Sequence, residues 1–199
     1  MNTFWKIKDR MNRDIRKYGT LGHAPGTWEA VLSLIPIPKN SAEILNAGCG
    51  KFTPVIPNYK LWHCDIRNIK NRKIDFVQAD LNRGIPFCTP FEGTIAMEVI
   101  EHLENPHHFL KNVTDLSTDW VIITYPNNES IDAKKLFQET GNFPWFSEKH
   151  IKKNGHITPI FSWQIEHITK KLKWKVDETK HNDPITQEIV IQRLISKKK

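Results

Sequence analysis

The chain of 199 residues is 39% hydrophobic, which suits one domain with a full core and excludes an intrinsically disordered protein. It has neither an apolar run of the roughly 18 residues that a membrane helix needs nor a signal peptide's apolar stretch, so we expect a cytoplasmic protein with no membrane partner. The net charge of +7 admits nucleic acid or phosphorylated molecules as partners without selecting either.

The first predicted element is a basic amphipathic helix over residues 3–18, in which apolar residues recur at helical spacing. A second short helix is predicted over residues 27–34, ended by Pro36 and Pro38. We assign residues 1–41 to an N-terminal helical cap. This cap either packs on the domain or covers a substrate.

Short apolar runs of strand length follow, separated by helical or loop segments. They lie at residues 43–47, 61–64, 74–78, 94–97 and 121–125, and two final strands are expected near residues 174–179 and 187–195. This alternation predicts an α/β fold with a parallel sheet and helices on both faces. Helices are predicted over residues 107–116, with Pro106 in the first turn, and from Ser162, whose hydroxyl would cap the helix, to about residue 172.

An aromatic and basic insert interrupts this order at about residues 127–161. Additions to a repeating scaffold often carry specificity, so we expect this insert to contact a substrate. The candidate substrate residues are Trp145, His150 and His156. Nearby lysines favour an acidic or phosphorylated acceptor.

Two glycines end the first predicted strand, and lone aspartates follow the next two. Gly48 and Gly50 would let the strand turn sharply into a helix and let a ligand approach the backbone amides. Asp65 at the following strand end can bind a ribose. The NAD fingerprint requires a third small residue where this chain has Thr53, so a hydride-transfer enzyme is the poorer interpretation.

Five ordered segments resemble the motifs of the class I S-adenosylmethionine-dependent methyltransferases, in particular of their small-molecule branch. They are residues 44–50, 63–66, 78–81, 91–103 and 121–127. The resemblance implies a Rossmann-like, seven-stranded, mostly parallel sheet over residues 42–199, with S-adenosyl-L-methionine as cofactor. It also implies methyl transfer to oxygen or nitrogen of a small-molecule acceptor. The implied cofactor-binding residues are Asn46, Ala47, Gly48, Cys49, Gly50, Asp65, Ile66, Asp80, Leu81, Glu98 and Val99.

The resemblance also implies roles for single residues. Asp65 would accept from both ribose hydroxyls, with Ile66 against the adenine face. Asp80 would accept from the adenine amino group, and the Leu81 amide would donate to the ring. Asn46 would bind the ammonium group of the cofactor.

Glu98 and His102 follow the fourth strand, where the methyl group would be presented. Methyl transfer from a sulfonium is an in-line displacement, so the protein must align the acceptor and remove its proton if it carries one. Histidine is the side chain that most readily exchanges a proton near neutral pH, so His102 can be that base, or it can simply form a hydrogen bond across the top of a helix. Glu98 would orient the amino acid end of the cofactor.

The sequence predicts no metal site. Cys49, Cys64 and Cys88 show no CxxC spacing. The spacing of His102, His107 and His108 fits no metal motif, and the neighbouring Glu101 and Glu104 suit a solvated face.

Two alternatives remain open. The charge permits a nucleic acid (RNA or ribose) methyltransferase, although residues 98–101 lack the Pro-Pro-aromatic signature of enzymes that methylate base amino groups. Asn46 and Phe52 depart from the usual acid and glycine of the family, which raises the alternative of a non-catalytic binding module with the same fold.

Overall fold

A computed structural model describes residues 26–38, 40–51, 54–68, 75–182 and 187–197, with only the backbone for residues 149 and 150. The helix predicted over residues 3–18 lies outside this part of the chain. The strands are β1 (Ala42–Ala47), β2 (Tyr59–Asp65), β3 (Asp75–Gln78), β4 (Phe91–Met97), β5 (Ser117–Pro126), β6 (Trp174–His181) and β7 (Ile189–Ser196). The helices are α1 (Thr27–Leu34), α2 (Pro106–Leu116), α3 (Ile131–Thr140), α4 (Glu148–Asn154) and α5 (Ser162–Lys171), with 3₁₀ turns at Ile100–His102 and Pro144–Phe146.

The strands form one seven-stranded sheet in the order β3-β2-β1-β4-β5-β7-β6. The pairings from β3 through to β5 are parallel, and β7 runs antiparallel to both of its neighbours. The predicted seven-stranded, mostly parallel α/β sheet is therefore confirmed. The helix that follows β4 begins at Pro106, as the sequence predicts.

Apolar residues are buried on both faces of the sheet. Ile44 packs on one face with Val31 and Leu34 of α1, while the next residue, Leu45, packs on the other face with Phe109 of α2. Side chains that alternate between faces in this way are expected of a strand covered on both sides. Helix α1 therefore shares the core of the sheet.

The start of α5 differs from the prediction. Its N-cap position is occupied by Phe161, so the predicted cap by the Ser162 hydroxyl is wrong. The Ser162 amide donates to the Glu129 carboxylate at 2.8 Å, and the Phe161 amide donates to Oε1 of Gln164 at 3.0 Å. The Ser162 hydroxyl accepts instead from Tyr125 at 3.3 Å. A carboxylate at a helix N-terminus is the stronger cap, because the charge also faces the helix dipole.

The insert predicted at about residues 127–161 folds into α3, a 3₁₀ turn and α4. Phe137 stacks on Phe143 with ring centroids 4.5 Å apart, and Phe143 meets Phe161 edge to face at 5.4 Å. Part of its aromatic content therefore joins the insert to the start of α5. Among the described helices, none is both long and apolar enough to cross a bilayer.

Gly93 on β4 lies directly against the indole of Trp120. A Cβ at Gly93 would lie 2.2 Å from the nearest ring carbon, and Trp120 is only 2% exposed. We expect Gly93→Ala to lower the free energy of unfolding by about 1–3 kcal/mol, because the core cannot admit the extra methyl group. Urea denaturation measures this change.

The matched control repeats the substitution in a Trp120→Phe background, where the smaller ring leaves room for the added methyl. The cost of Gly93→Ala should then shrink. An equal cost in both backgrounds would show that the indole is not the obstacle.

Candidate active site

Four adjacent parallel strands end at one edge of the sheet, which we call the carboxyl edge. It consists of the residues at and just beyond the ends of β1 to β4, and it is continuous because β3, β2, β1 and β4 are neighbours in that order. All residues predicted to bind the cofactor lie here. They are Asn46 to Gly50 at the end of β1 and just beyond it, Asp65 and Ile66 at the end of β2, Asp80 and Leu81 after β3, and Glu98 and Val99 after β4.

The two glycines after β1 are required for different reasons. Both adopt a left-handed backbone, with φ of 67° at Gly48 and 52° at Gly50. A Cβ at Gly48 would lie 2.3 Å from a methyl group of Val99, so this glycine lets the loops after β1 and β4 pack together. A Cβ at Gly50 would have no atom within 4 Å among the described residues. As far as the described residues extend, the loop is therefore open to a ligand at Gly50.

The expected helix after these glycines is absent from the described residues between β1 and β2, so that prediction is wrong. Pro54 and Pro57 explain the difference, because a proline inside a helix removes a hydrogen bond and clashes with the preceding turn. The amides of Gly48 and Cys49 donate to the carbonyl of Cys64, at 2.8 and 3.1 Å. These two amides therefore fix the loop to β2 and do not form an anion site at a helix N-terminus.

Asp65 joins the glycine loop to the end of β2. Its Oδ2 accepts from the Gly50 amide at 2.7 Å and its Oδ1 from the Arg67 amide at 2.8 Å. A carboxylate oxygen can accept two hydrogen bonds, so each oxygen retains a position for a ligand hydroxyl. Ile66, next to it, is 61% exposed and offers an apolar surface. This arrangement suits a ribose with an attached ring system.

Two other predicted cofactor residues have local partners. The amide nitrogen of buried Asn46 lies 3.3 Å from Nδ1 of His63 on β2. Oδ1 of Asp80 accepts from the Asn82 amide at 3.0 Å, which stabilises a turn. Leu81 is buried, so its side chain belongs to the core. Contacts of these residues with a cofactor stay predictions.

Glu98 has an unusual backbone at the end of β4. Its φ is 51°, which costs a residue other than glycine about 1–3 kcal/mol. The Glu98 amide donates to both the hydroxyl and the carbonyl oxygen of Thr124 on β5, at 2.9 and 3.2 Å. These bonds hold the conformation. Strain of this kind is concentrated at functional sites.

Glu101 is fully buried, which contradicts the solvated face predicted for it. Neither of its carboxylate oxygens has a hydrogen-bond partner in another described residue. Burial raises the pKa of Glu101 well above its ordinary value, and the charge of Glu98 raises it further, while its own backbone amide opposes both effects. The sequence held a signal for this burial, because Ile100 and Leu103 on either side are both apolar.

Residues 155–158, which follow α4, are bound to the 3₁₀ turn after β4. The amides of Ile157 and Thr158 both donate to the carbonyl of Glu101, at 2.9 and 3.0 Å. The Thr158 hydroxyl donates to the carbonyl of Leu103 at 2.8 Å. The insert is therefore anchored to the carboxyl edge by backbone acceptors.

His102 and His156 meet at this anchor. Nδ1 of His102 lies 3.0 Å from the carbonyl oxygen of Gly155. A carbonyl oxygen only accepts, so Nδ1 carries the proton and Nε2 of the neutral ring keeps a lone pair. The two imidazole centroids are 4.7 Å apart, and the Phe146 ring lies 5.7 Å from His156.

The structure brings some of the predicted acceptor residues together. Trp145 is half-buried in the 3₁₀ turn that also contains Phe146, and His156 lies against His102. The His150 side chain lies outside the described residues. The ligand atoms of Glu101, His102 and His156 all lie within 4.8 Å of one another. Sequence reasoning missed this group because His156 is distant in the chain.

No protein-family model matches the sequence, and no curated protein is significantly similar to it. Solved structures, in contrast, match it along almost its whole length. The magnesium protoporphyrin IX methyltransferase of Synechocystis PCC 6803, solved with bound SAH, has 14% identity and a TM-score of 0.59, covering 98% of this chain and 88% of that one.

Two further methyltransferase structures agree. An S-adenosylmethionine-dependent enzyme of Thermotoga maritima, described as a possible histamine N-methyltransferase, has 16% identity and a TM-score of 0.61, covering 97% of this chain and 100% of that one. An S-adenosylmethionine-dependent methyltransferase of Mesorhizobium loti has 13% identity and a TM-score of 0.58, covering 88% of this chain and 99% of that one. The chain thus has the fold of the class I S-adenosylmethionine-dependent methyltransferases.

Proposed function

We propose that this chain is an S-adenosylmethionine-dependent methyltransferase that acts on oxygen or nitrogen of a small-molecule acceptor. The observation that carries the proposal is the contact of the Asp65 carboxylate with the Gly50 amide at 2.7 Å. It places an anionic acceptor beside an open glycine loop at the carboxyl edge, where ligands of such sheets bind. The fold and the order of the predicted motifs support the same conclusion.

The nucleoside half of the cofactor fits the ends of β2 and β3. Asp65 retains an acceptor position on each oxygen for the two ribose hydroxyls. Ile66 provides the apolar surface for an adenine face. We assign the adenine amino group to Asp80 and a ring nitrogen to the Leu81 amide.

The amino acid half fits the ends of β1 and β4. We assign the ammonium group to Asn46 and Glu98, with Ala47, Cys49 and Val99 around them. The positive φ of Glu98 supports this role, because the strained backbone holds its side chain at the carboxyl edge. S-adenosylmethionine supplies an electrophilic methyl group on sulfur. The protein must therefore align an acceptor and accept its proton.

The acceptor half comprises His102 and the insert. Nε2 of His102 has the lone pair that proton removal requires, because Nδ1 is engaged by Gly155. The His156 ring lies against His102, and the Phe146 ring, next to Trp145 in the chain, lies against His156. We assign Trp145 and His150 to the acceptor half from the sequence. Both His102 and His156 are half-buried, which favours a small molecule over a nucleic acid strand. Lys152 is paired with Glu148 at 2.5 Å, so the preference for an acidic or phosphorylated acceptor stays a prediction.

The cofactor assignment is tested by substituting Asp65. Asp65→Ala should weaken S-adenosylhomocysteine binding by about 1.5–3 kcal/mol, the usual value of a hydrogen bond to a charged group. Isothermal titration calorimetry measures the affinity. Asp75→Ala is the matched control, because Asp75 lies at the opposite end of β3 and is exposed.

Asp65 also holds the Gly50 and Arg67 amides, so the fold of each variant is checked by circular dichroism. Asp65→Asn, which retains the size of the side chain, replaces the alanine variant if that one unfolds. Unchanged affinity in a folded variant contradicts the assignment.

The acceptor assignment is tested at Trp145. We expect Trp145→Ala to reduce methyl transfer to the small-molecule fraction of a cell extract by about tenfold or more, since misplacing an acceptor is costly. The assay follows transfer of label from tritiated S-adenosylmethionine. The affinity for S-adenosylhomocysteine and the melting temperature should change little.

Trp163→Ala is the control, because Trp163 is a 61% exposed tryptophan on α5. A Trp145 variant that melts several degrees earlier with its specific activity intact assigns the residue a structural role. Wild-type protein that binds S-adenosylhomocysteine but transfers no methyl group to small molecules or RNA supports the non-catalytic alternative.

A further inference from the structure

Three potential metal ligands converge where the insert meets the end of β4. Ligand atoms of Glu101, His102 and His156 lie within 4.8 Å of one another, and no role proposed above uses the Glu101 side chain. The ligands of a tetrahedral ion at 2.0–2.1 Å are separated by about 3.4 Å, so the side chains need only close by about 1.4 Å or less.

The Glu101 carboxylate is the strongest indication of a ligand. It is fully buried, and neither oxygen has a hydrogen-bond partner in another described residue. Burying an unpaired carboxylate is costly, and such groups are normally paired or bound to a metal. A cation beside it would supply the missing partner.

His102 has the tautomer and the second hydrogen bond that metal-binding histidines usually have. Its Nδ1 donates to the Gly155 carbonyl at 3.0 Å, which directs the lone pair to Nε2. A backbone carbonyl or carboxylate on the second ring nitrogen is the common arrangement around ligating imidazoles, because it fixes the tautomer and the ring.

His156 is held against this pair by the backbone. The residue before it accepts from His102, and the two residues after it donate to the Glu101 carbonyl. All three ligands are therefore fixed by one set of hydrogen bonds between residues 101–103 and 155–158. Preorganisation of this kind reduces the cost of binding an ion.

We propose that Glu101, His102 and His156 bind a divalent transition-metal ion such as Zn²⁺. Two imidazoles with one carboxylate favour Zn²⁺, Co²⁺ or Fe²⁺ over the hard ions Mg²⁺ and Ca²⁺, which prefer oxygen ligands. Three protein ligands leave a coordination position for water or substrate, as in catalytic zinc sites.

If the proposed function holds, the open coordination position would take an oxygen of the methyl acceptor. The substrate would then be a hydroxyl compound. The metal lowers the pKa of that hydroxyl, whose proton passes to solvent. The oxygen then bonds to the methyl carbon while the methyl–sulfur bond breaks, and its electron pair remains on sulfur. His102 as a ligand cannot also be the proton acceptor.

The experiment measures binding of Zn²⁺ and Co²⁺ to tag-free protein that has first been stripped with a chelator. We expect stoichiometric Zn²⁺ by elemental analysis and visible d–d absorption when Co²⁺ is added. Glu101→Gln and His156→Ala should each weaken the affinity for Zn²⁺ by about tenfold to a hundredfold. His107→Ala is the control, because His107 is an exposed histidine on α2 outside the cluster.

Glu101→Gln keeps the size of the buried side chain, and His156→Ala alters a half-buried loop residue. If one of these variants does not fold, Zn²⁺ binding to the other variant tests the site. Absence of Zn²⁺ binding, or binding equally strong in the folded variants, overturns the metal site. S-adenosylhomocysteine binding to the stripped wild-type protein is measured in parallel. Wild-type protein that binds Zn²⁺ but not S-adenosylhomocysteine overturns the proposed function alone. Wild-type protein that binds S-adenosylhomocysteine but not Zn²⁺ overturns the metal site alone.

Discussion

The parallel pairing of β1 with β2 on one side and β4 on the other is the constraint on which the site depends. Parallel strands run in the same direction, so the loops after them leave the sheet at the same edge. Both faces of these strands are covered by apolar core, and polar groups can reach a ligand only where the strands end. The location of the site is therefore a consequence of the sheet order.

Backbone hydrogen bonds connect the two halves of this site to the sheet. On the side that we propose to bind the cofactor, the carbonyl of Cys64 and the carboxylate of Asp65 hold the glycine loop. On the side that we propose to bind the acceptor, the carbonyls of Glu101 and Leu103 hold residues 155–158. The glycine loop does not lead directly into a helix, and the Asp65 carboxylate organises the amide of Gly50 in place of a helix N-terminus.

Residues 98–102 contain two features that lower the stability of a fold. Glu98 has a left-handed backbone, and Glu101 buries a carboxylate without a partner in another described residue. Ile100 and Leu103 are 1% and 6% exposed, so the segment is held by the core despite these costs. Destabilising features that cluster in one short segment are typical of a functional site, because they are retained for function although they lower the stability of the fold.

The sequence determined the backbone features that depend on neighbouring residues. Apolar runs located the strands to within a few residues, and Gly48 and Gly50 marked the turn with positive φ, because only glycine adopts that backbone without strain. Pro54 and Pro57 also carried the signal against a helix after this turn, although the glycine motif suggested one. The order of five motifs sufficed to predict the fold and the carboxyl-edge residues.

The tertiary structure alone decided which distant residues meet. The proximity of His156 to Glu101 and His102 depends on hydrogen bonds between the insert and the turn after β4, and no local pattern encodes such contacts. The burial of Glu101 likewise follows from the elements that cover it, because apolar Ile100 and Leu103 indicate that the segment is buried but not that this carboxylate points inward. Local sequence sets backbone conformation, whereas burial and long-range contacts are set by the path of the whole chain.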